Sequence, residues 1–253
     1  MRIAVAGGRG TVGKYVVQSA LAMGHEVVVL GRSVGVDVRT GDGLRAALAG
    51  VDVIVDTTNS GTMRRAKATA FFTQVSENLQ SAGEVQGVSR LVTLSIVGLE
   101  RLPGFGYYEA KLAQESVAAA GPLPVSIVRA TQFHEFPAQI LSRGFGPIAL
   151  MPVMRIRPVA ARSVGEILAE TAVGPTLEST LEVAGPEEKD LVTLGRDLVR
   201  KKGLHAVVIP LPVPGTAGKA MRRGGQLPKL GARLVGPTFE EWIDGEDASS
   251  VHV

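Results

Sequence analysis

The spacing of three glycines near the start of the chain constrains the fold more than any other feature of the sequence. Gly7, Gly10 and Gly13 follow a short apolar run at residues 3–6, and residues with helical preference come after them. Glycine permits a tight turn, close approach of a ligand to the backbone, and close packing of the following helix on the strand. A helix beginning near Thr11 would direct its free N–H groups towards an anion. The pattern predicts a strand, a turn and a helix that together bind a pyrophosphate; the alternative is a glycine-rich turn without a ligand.

The first 130 residues alternate Val- and Ile-rich runs with helical stretches, which is typical of repeated βα units. The predicted strands are residues 2–6, 26–30, 51–56, 90–95 and 125–129. The predicted helices are residues 11–23, 42–49, 64–82 and 107–120. Because βα crossovers are right-handed, we expect an α/β fold with a doubly wound parallel sheet and a ligand at the carboxyl ends of its strands.

The pattern changes after residue 130. Helices are predicted at residues 133–141, 163–173 and 190–202, and strands at 181–184 and 207–209. Glycine and proline are dense at 210–237, which predicts an irregular connection, and a capping-box pattern of Thr238 and Glu241 predicts a helix start. We expect residues 244–253 to fray. The predicted organisation is a dinucleotide-binding core at 1–130 and a substrate-side region at 131–253 that packs on the same core and is not an independent domain.

The end of the second predicted strand indicates which dinucleotide the chain prefers. An enzyme selective for NAD has a carboxylate there that binds the ribose 2′-hydroxyl, but this chain has Arg32. Arg32 and Arg9 are suited to bind a 2′-phosphate, and one charge-assisted hydrogen bond contributes about 1.5–3 kcal/mol. NADP(H) is therefore the expected cofactor and NAD(H) the alternative, unless both arginines simply face water. Asp42 is expected either beside the adenine or as a helix N-cap.

A second group of polar residues has the pattern of an acid–base site. Tyr107 and Lys111 are four residues apart and would share one face of a helix, and Ser95 ends the preceding strand. A phenol with its usual pKa of ~10 is a weak acid–base group at neutral pH, and a nearby lysine ammonium lowers that pKa. We therefore predict that Ser95, Tyr107 and Lys111 form the catalytic set.

Four segments of the chain resemble short-chain dehydrogenases/reductases of the atypical, NmrA-like, NAD(P)-binding branch. They are residues 7–13 (GGRGTVG), 94–98 (LSIVG), 107–111 (YYEAK) and 128–134 (VRATQFH). The resemblance implies an extended Rossmann fold, a nicotinamide cofactor and a carbonyl/alcohol redox centre. It implies that Tyr107 is the acid–base, that Lys111 holds the ribose, and that Ser95 orients the substrate oxygen.

The sequence pattern and the resemblance together assign a set of cofactor-binding residues. The set consists of Gly7, Arg9, Gly10, Thr11, Val12, Gly13, Arg32, Asp42, Thr57, Thr58, Asn59, Ser95, Lys111, Gln132 and Phe133. The segment 57–59 follows a predicted strand and is otherwise a plain turn. The third-strand segment, 34–43, is short and glycine-rich, which predicts an altered adenine pocket. His134, which lies near two phenylalanines, is either a packed side chain or a group near the nicotinamide.

Composition excludes several classes of protein. The chain has no cysteine, which makes disulfide or thiolate chemistry impossible and the cytoplasm the default location. No run reaches the roughly 18 apolar residues of a membrane span, and a strand at residue 2 predicts that no signal peptide precedes it. A net charge of +3 is too small to indicate nucleic-acid binding. We find no metal-ligand spacing, nucleophile elbow or Walker loop.

Two segments of the second half bear on the substrate. The apolar segment 144–154 belongs either to the core or to the wall of a substrate cleft, and in the second case it favours an apolar ketone, a quinone or an aromatic substrate. Arg155 and Arg157 follow it and could meet an anionic group. The stretch 210–237 contains basic but no acidic residues, which suits either a solvated loop or a contact for an anion.

Three functions are compatible with these features. The first is an NADPH-dependent oxidoreductase that transfers hydride to a carbonyl or quinone-like substrate, with Tyr107 as acid–base. The second is a non-catalytic NADP(H)-binding regulator that senses redox poise. The third is a nucleotide-sugar epimerase or dehydratase that uses NAD. The sequence leaves the substrate and the oligomeric state open.

Overall fold

The computed structural model describes residues 1–144, 147–176 and 180–249 of the chain. Those residues divide into two compact units. The first unit consists of residues from Met1–Ile96, Phe105–Arg129 and Val164–Leu181, and the second of residues from Val97–Gly104, Ala130–Ser163 and Glu182 onward. The predicted boundary near residue 130 coincides with one point where the chain passes between units. The packing of 131–253 on the core of the first 130 residues stays a prediction.

Strands and helices alternate along most of the described chain. The strands are β1 Arg2–Ala6, β2 Glu26–Leu30, β3 Val53–Asp56, β4 Arg90–Ile96, β5 Val125–Ala130, β6 Ile148–Pro152, β7 Arg155–Ile156, β8 Leu181–Ala184, β9 Lys189–Asp190, β10 Val207–Leu211 and β11 Arg233–Leu234. The helices are α1 Gly13–Ala22, α2 Leu44–Ala47, α3 Arg65–Val85, α4 Gly106–Ala120, α5 Phe136–Leu141, α6 Ala161–Val173, α7 Leu191–Lys202, α8 Gly215–Arg222, α9 Phe239–Asp244 and α10 Glu246–Ser249. Every predicted strand and helix is present, with ends within three residues of those expected.

The strands β1 to β5 form the sheet of the first unit, in the order β5-β4-β3-β1-β2. β1 pairs in parallel with both β2 and β3, and β3 pairs in parallel with β4. The register places Ala6 beside Leu30 and Asp56, so the segments that follow these three strands start at one edge of the sheet. The predicted α/β class with a parallel sheet is confirmed.

Helices pack on both faces of this sheet, which makes it doubly wound. Ala4 and Leu30 point to the face covered by α3, where they belong to the same buried apolar cluster as Leu79. The opposite face carries α1, since a Cβ built on Gly8 would lie 3.1 Å from Val29 and 3.3 Å from Val17. Aromatic residues make up only 4% of the chain, and Val, Leu, Ile and Ala side chains form most of this apolar cluster.

The segment between β2 and α2 has no strand among its described residues. It contains a short 3-10 turn at Arg32–Val34 and a tight turn in which Asp37 accepts hydrogen bonds from the N–H of Arg39 and of Thr40. Asn78 of α3 holds this turn by donating to the carbonyl oxygens of Val38 and Arg39 at 3.0 and 2.7 Å. A turn held by α3 therefore takes the place of the third-strand segment, and the altered adenine pocket that we expected from its glycine-rich sequence stays a prediction.

The second unit contains three small groups of paired strands. β8 pairs in parallel with β11, β6 pairs in parallel with β10, and β7 pairs antiparallel with β9. β6 lies in the apolar segment 144–154, of which Phe145 and Gly146 lie outside the described residues. Ala149 and Met151 of this strand are buried, while Ile148 and Leu150 are exposed. The segment therefore contributes one face to the core of the second unit.

The expectation of an irregular connection at 210–237 is wrong for three stretches. Residues 210–211 belong to β10, residues 215–222 form α8, and residues 233–234 form β11. The helix forms because Gly218 has no side chain, and a Cβ there would lie 1.8 Å from the carbonyl oxygen of Val213. Gly218 and Met221 can then pack inward, where both are buried. A high density of glycine indicates a loop, but in this stretch Gly218 permits the helix to pack closely on Val213.

The capping box is confirmed at the start of α9. The N–H of Glu241 donates to the hydroxyl of Thr238 at 3.2 Å, and the N–H of Thr238 donates to the Glu241 carboxylate at 2.8 Å. These hydrogen bonds lower the pKa of Glu241. The chain continues into α10, where fraying was expected, and residues 250–253 lie outside the described residues. Among the described helices, none combines the length and apolar character needed to cross a bilayer.

Candidate active site

The glycine turn has the geometry that its spacing predicts. Gly7 has φ of 76°, in the left-handed region, and its carbonyl oxygen accepts the N–H of Gly10 at 2.8 Å. A Cβ on Gly7 would lie 2.9 Å from the carbonyl oxygen of Thr57, and a Cβ on Gly13 would lie 2.1 Å from the carbonyl oxygen of Gly7. Two of the three glycines are therefore required by the turn itself. Gly10 is less constrained, because its Cβ would meet only the Gly7 oxygen, at 3.1 Å.

The helix that follows this turn has an uncapped N-terminus. Val12 is the N-cap residue of α1, and no side chain accepts a hydrogen bond from the first-turn N–H groups. Thr11 and Gly10, just before it, are exposed. The N–H groups of Lys14 and Tyr15 donate to the carbonyl oxygens of Gly10 and Val12. The start of a ten-residue helix beside a glycine turn is suited to binding a phosphate, because the helix dipole favours an anion there.

The side chains of two arginines come to the segment after β2, where the ribose of a dinucleotide is expected: Arg32 belongs to that segment, and Arg9 reaches it from the glycine turn. Arg9 extends from the glycine turn and donates from Nη1 to the Ser33 hydroxyl at 2.5 Å. Ser33 is the neighbour of Arg32, and all three side chains are exposed. The structure therefore brings the glycine turn to the segment after β2, as predicted, with no carboxylate in the Arg32–Val34 turn.

Asp42 is not a helix N-cap. The N-cap of α2 is Gly43, with φ of 72° and no capping side chain. The Asp42 carboxylate instead accepts the Thr40 hydroxyl at 2.7 Å, and the Asp42 carbonyl oxygen accepts the N–H of Asp37 at 3.0 Å. The side chain thus stabilises the turn that replaces the third strand. Its place beside an adenine stays a prediction.

The segment after β3 links the glycine turn to α4. The Thr57 hydroxyl donates to the carbonyl oxygen of Ala6 at 2.8 Å, and its oxygen is the atom that a Cβ on Gly13 would meet at 2.7 Å. The N–H of Thr58 donates to Asp56 at 2.9 Å, and the Thr58 hydroxyl is buried without a hydrogen-bond partner in the described chain. Asn59 is exposed and accepts a hydrogen bond from Tyr107.

The Tyr107 side chain is held from two sides. Its hydroxyl donates to Oδ1 of Asn59 at 2.7 Å, and its ring makes an edge-to-face contact with Phe72 at a centroid distance of 5.8 Å. Burial raises the pKa of Tyr107 to about 12. This direction is opposite to the lowering that we expected from Lys111. The protonated phenol is therefore the stable form of this side chain.

Lys111 faces inward instead of towards the Tyr107 hydroxyl. Its ammonium donates to the carbonyl oxygen of Leu94 at 2.8 Å and to Oε1 of Gln114, and it lies 4.7 Å from the centre of the Phe72 ring. Burial lowers the pKa of Lys111 to about 8, and the nearby Asp56 and Glu115 carboxylates oppose that effect. Phe72 thus contacts both members of the predicted tyrosine–lysine pair.

Ser95 is the sixth residue of β4, one position before the strand ends. It is 2% exposed, and its hydroxyl has no hydrogen-bond partner among the described residues. A buried hydroxyl without a partner costs free energy, so a ligand oxygen that reached it would regain a hydrogen bond. This observation is compatible with the predicted role of Ser95, which stays a prediction.

Several residues of this network were not predicted. Gln114 bridges Lys111 and Asp56, since its Nε2 donates to the Asp56 carboxylate at 2.8 Å. Gln114 could have been found from its position three residues after Lys111, on the same helix face. Asp56 ends a strand whose other residues are all apolar and buried, where a carboxylate is unusual. Phe72 carries no comparable signal, because an aromatic residue in a long helix is most often part of the core.

Gln132, Phe133 and His134 follow β5 and lie in the second unit. Phe133 forms an isolated parallel bridge with Val159, and the carbonyl oxygen of Gln132 accepts the N–H of Val159 at 3.0 Å. His134 is fully buried and lies against the rings of Phe239 and Trp242. Cofactor contacts of Gln132 and Phe133 stay predictions.

The His134 ring behaves as a packed side chain. Its Nε2 donates to the carbonyl oxygen of Pro237 at 3.1 Å, and its Nδ1 is buried without a hydrogen-bond partner in the described part of the chain. Burial lowers the pKa of His134 to about 4, although the bond to Pro237 opposes this effect. The neutral ring is therefore the stable form, which favours the packing interpretation over the catalytic one.

The arginines after the apolar segment have partners within the protein. Arg155 forms an ion pair with Glu188, and Arg157 donates to the carbonyl oxygen of Pro186 at 2.9 Å. In the basic stretch, Arg222 donates to the carbonyl oxygen of Val213 at 2.9 Å. These contacts favour a structural role for the three side chains. Among the described residues, no group of three or more His, Asp or Glu side chains is placed to hold a metal ion.

Comparison with known proteins bears on the fold. No protein-family model and no curated protein matches the sequence. A short-chain dehydrogenase/reductase superfamily protein from Agrobacterium tumefaciens, solved with bound NAD, is 18% identical, with 98% of this chain and 97% of that one covered and a TM-score of 0.70. A dTDP-4-dehydrorhamnose reductase from Bacillus anthracis, in complex with NADP, is 12% identical, with 98% and 99% covered and a TM-score of 0.74. The chain has the fold of these enzymes.

A third structure extends the comparison to another reaction. The UDP-glucose 4-epimerase from Thermus thermophilus, in complex with NAD, is 17% identical, with 94% of this chain and 91% of that one covered and a TM-score of 0.67. The likeness confirms the Rossmann-type fold that the sequence resemblance implied. Membership of the NmrA-like branch stays a prediction. Two of the three structures are named for nucleotide sugars, and none is named for the apolar carbonyl or quinone substrate that we expected.

Proposed function

We propose that this protein is an NADP(H)-dependent oxidoreductase that uses Tyr107 as its proton donor and acceptor. The observation that carries the proposal is the hydrogen bond between Tyr107 and Asn59 at 2.7 Å. Asn59 is two residues from Thr57, whose side chain and backbone meet the glycine turn at Gly7. The acid–base candidate is thus joined through one short segment to the turn that is suited to a dinucleotide.

The residues present fit a dinucleotide. The glycine turn and the uncapped start of α1 would hold the pyrophosphate. Arg9 and Arg32 would bind a 2′-phosphate, and the bond from Arg9 to Ser33 orients one guanidinium at the end of β2. Thr58, with its buried and unpartnered hydroxyl, would line the same edge of the sheet.

NADPH supplies a hydride for a carbonyl carbon when it is bound. The Tyr107 phenol is protonated at neutral pH and would donate that proton to the carbonyl oxygen, although burial, which raises its pKa to about 12, makes it a weaker acid than an exposed phenol. The Ser95 hydroxyl would donate a hydrogen bond to the same oxygen. The Lys111 ammonium places a positive charge 4.7 Å from the centre of the Phe72 ring, which also contacts Tyr107.

A non-catalytic, cofactor-sensing role is the second candidate, and the inward position of Lys111 favours it. Its ammonium is engaged with Leu94 and Gln114, so the tyrosine and the lysine do not share a hydrogen bond with each other. A protein that binds the cofactor without turnover would have no use for a lowered pKa at Tyr107. Replacement of Tyr107 distinguishes the two candidates, because only a catalyst depends on that hydroxyl.

The substrate class is tested with two panels of compounds. The first contains apolar ketones, aromatic aldehydes and quinones, which the exposed apolar residues of β6 suit. The second contains nucleotide sugars with a keto group or an epimerisable carbon, prompted by the names of the fold neighbours. An epimerase or dehydratase that uses NAD would act on the second panel without net consumption of NADPH.

The first experiment is a titration of the purified protein with NADPH and with NADH, followed by nicotinamide fluorescence. We expect NADPH to bind at least about tenfold more tightly, the difference that one charge-assisted hydrogen bond supplies. Arg32→Ala should remove that preference. Arg196→Ala, which removes an exposed arginine of α7 in the second unit, serves as control and should leave it unchanged. If neither nucleotide binds at millimolar concentration, the proposal fails.

The second experiment compares the wild-type protein with Tyr107→Phe in both panels. For a catalyst we expect the variant to retain NADPH affinity and to lose about 10²- to 10⁴-fold in turnover, which is the usual contribution of an acid–base group. Unchanged turnover in the variant would refute the assigned role of Tyr107. Tight NADPH binding without turnover of any compound would favour the sensing role.

A further inference from the structure

A buried chain of hydrogen bonds runs from Lys111 to the segment after β3. The ammonium of Lys111 donates to Oε1 of Gln114, Nε2 of Gln114 donates to the Asp56 carboxylate at 2.8 Å, and the N–H of Thr58 donates to the same carboxylate at 2.9 Å. Gln114 and Asp56 are 0% and 1% exposed, and Lys111 is 4% exposed. The chain thus connects helix α4 to the strand end that leads into Asn59.

The direction of each hydrogen bond is set by chemistry. A lysine ammonium is a donor only, so the atom of Gln114 that faces it must be the carbonyl oxygen. The amide nitrogen then faces Asp56, which must accept and is suited to do so as a carboxylate. A neutral amide can accept from a cation and donate to an anion at the same time.

Two carboxylates act electrostatically on the Lys111 ammonium. Asp56 of β3 and Glu115 of its own helix both oppose the effect of burial on the pKa of Lys111. Glu115 is itself paired with Arg129 of β5 at 2.8 and 2.5 Å. The Phe72 ring of α3 also contacts this ammonium, with its centre 4.7 Å from Nζ of Lys111.

We propose that Gln114 is a positioning residue that holds the Lys111 ammonium charged and in place against the Phe72 ring, which also contacts Tyr107. The inference rests on the proposed function, since it assigns Lys111 to that site. Gln114 touches neither reacting atoms nor Tyr107 in the hydrogen bonds described, and it acts through Lys111. Without it, Lys111 would lose an acceptor and Asp56 a donor, and a buried ammonium with fewer acceptors gives up its proton more readily.

The chain offers a matched control for this proposal. Gln80 of α3 is also buried, at 2% exposure, and also donates to a carbonyl oxygen and accepts an N–H, at Ala118 and Leu123. Gln114→Met and Gln80→Met therefore remove the same kind of side chain and a similar number of hydrogen bonds from the same unit. A purely structural role predicts the same outcome for both variants.

The experiment measures the titration of Lys111 by NMR of its ¹³Cε. The sequence has eight lysines, so Lys111→Met identifies the signal by its disappearance. In Gln114→Met we expect the acid dissociation constant of Lys111 to rise about tenfold or more, the change produced by losing one hydrogen bond to a charged group. In Gln80→Met we expect the titration of wild type. The pH at which NADPH affinity declines should move with the Lys111 titration.

A second variant covers the case in which Gln114→Met does not fold. Gln114→Glu keeps an acceptor for Lys111 and adds negative charge beside it, so we expect Lys111 to titrate at higher pH than in wild type. An unchanged Lys111 titration in whichever variant folds overturns the inference. Absence of NADPH binding leaves the NMR titration readable and counts against the proposed function, so the two failures are distinguishable.

Discussion

The hydroxyl of Tyr107 donates to Oδ1 of Asn59 at 2.7 Å, across 48 residues of sequence. An amide oxygen accepts this hydrogen bond only from the protonated phenol, so the contact reinforces the effect of burial, which raises the pKa of Tyr107 to about 12. A ligand oxygen that takes the place of Asn59 would receive the same proton donor. The pair therefore holds a protonated phenol beside the segment that follows β3.

Asn59→Ala tests this relationship directly. Loss of the acceptor should lower the pKa of Tyr107 relative to wild type, because the protonated form loses its hydrogen bond while the ring stays against Phe72. The change is followed by the ultraviolet absorption of tyrosinate as pH is raised, with Tyr107→Phe to identify the signal among the three tyrosines. Ser60→Ala, in the same segment, is the control. An identical tyrosinate titration in Asn59→Ala and wild type would contradict the prediction.

Alanine substitutions should separate the glycines that the turn itself requires from Gly10, which we expect to face the cofactor. In Gly13→Ala the new Cβ would lie 2.1 Å from the Gly7 carbonyl oxygen, so we expect a loss of at least about 2 kcal/mol in the free energy of unfolding. In Gly10→Ala the nearest atom is 3.1 Å away, so stability should change little while NADPH affinity falls. Chemical denaturation and fluorescence titration measure the two effects. Equal stability losses in both variants would contradict this division.

The buried ion pair of Glu115 and Arg129 should be costly to break from one side. The two side chains are 10% and 9% exposed and share two hydrogen bonds. Glu115→Leu leaves a buried guanidinium without its carboxylate, and we expect a loss of about 3–5 kcal/mol in the free energy of unfolding. The double variant Glu115→Leu with Arg129→Met should recover most of that loss. If the double variant loses as much free energy of unfolding as the two single variants added together, the two side chains do not act as a unit.

His134 should make stability depend on pH in the acidic range. Burial lowers the pKa of His134 to about 4 in the folded protein, against about 6.5 when the chain is unfolded. Between these values the unfolded state binds the extra proton, so stability falls as pH drops from about 6.5 to about 4, by about 3 kcal/mol in total. Above about pH 6.5, His134 does not make the free energy of unfolding depend on pH.

The measurement for His134 is urea denaturation at a series of pH values, with His134→Phe as the comparison. Phenylalanine keeps an aromatic ring against Phe239 and Trp242 but cannot titrate. We expect the free energy of unfolding of the variant to depend less on pH between pH 4 and 6.5 than that of the wild type. His25→Gln, at a half-buried position near Met1, controls for loss of a histidine as such. If the slope is the same in wild type and His134→Phe, the assignment is wrong.

Much of the fold of the first unit was predictable because its signals are local. The apolar run of β1 and the glycines at 7, 10 and 13 determine a strand, a turn and a helix within the first 22 residues, and sterics around Gly7 and Gly13 leave few alternatives. The short, glycine-rich segment 34–43 predicted an altered adenine pocket but not that a turn takes the place of the strand. Helix α8 was also not predicted, because glycines indicate a loop when only composition is considered. The structure shows that Gly218 instead permits close packing on Val213.

The candidate site divides in the same way. The sequence alone determined the residue types and the spacing of Tyr107 and Lys111 on one helix, because a helix repeats every 3.6 residues whatever surrounds it. Only the tertiary structure decided where those side chains point. Lys111 faces Leu94 and Gln114, and Tyr107 faces Asn59, because the packing of α3 against α4 places Phe72 against both. Such contacts join residues far apart in the chain, and burial at those contacts moved the pKa of the phenol upward where sequence spacing predicted the reverse.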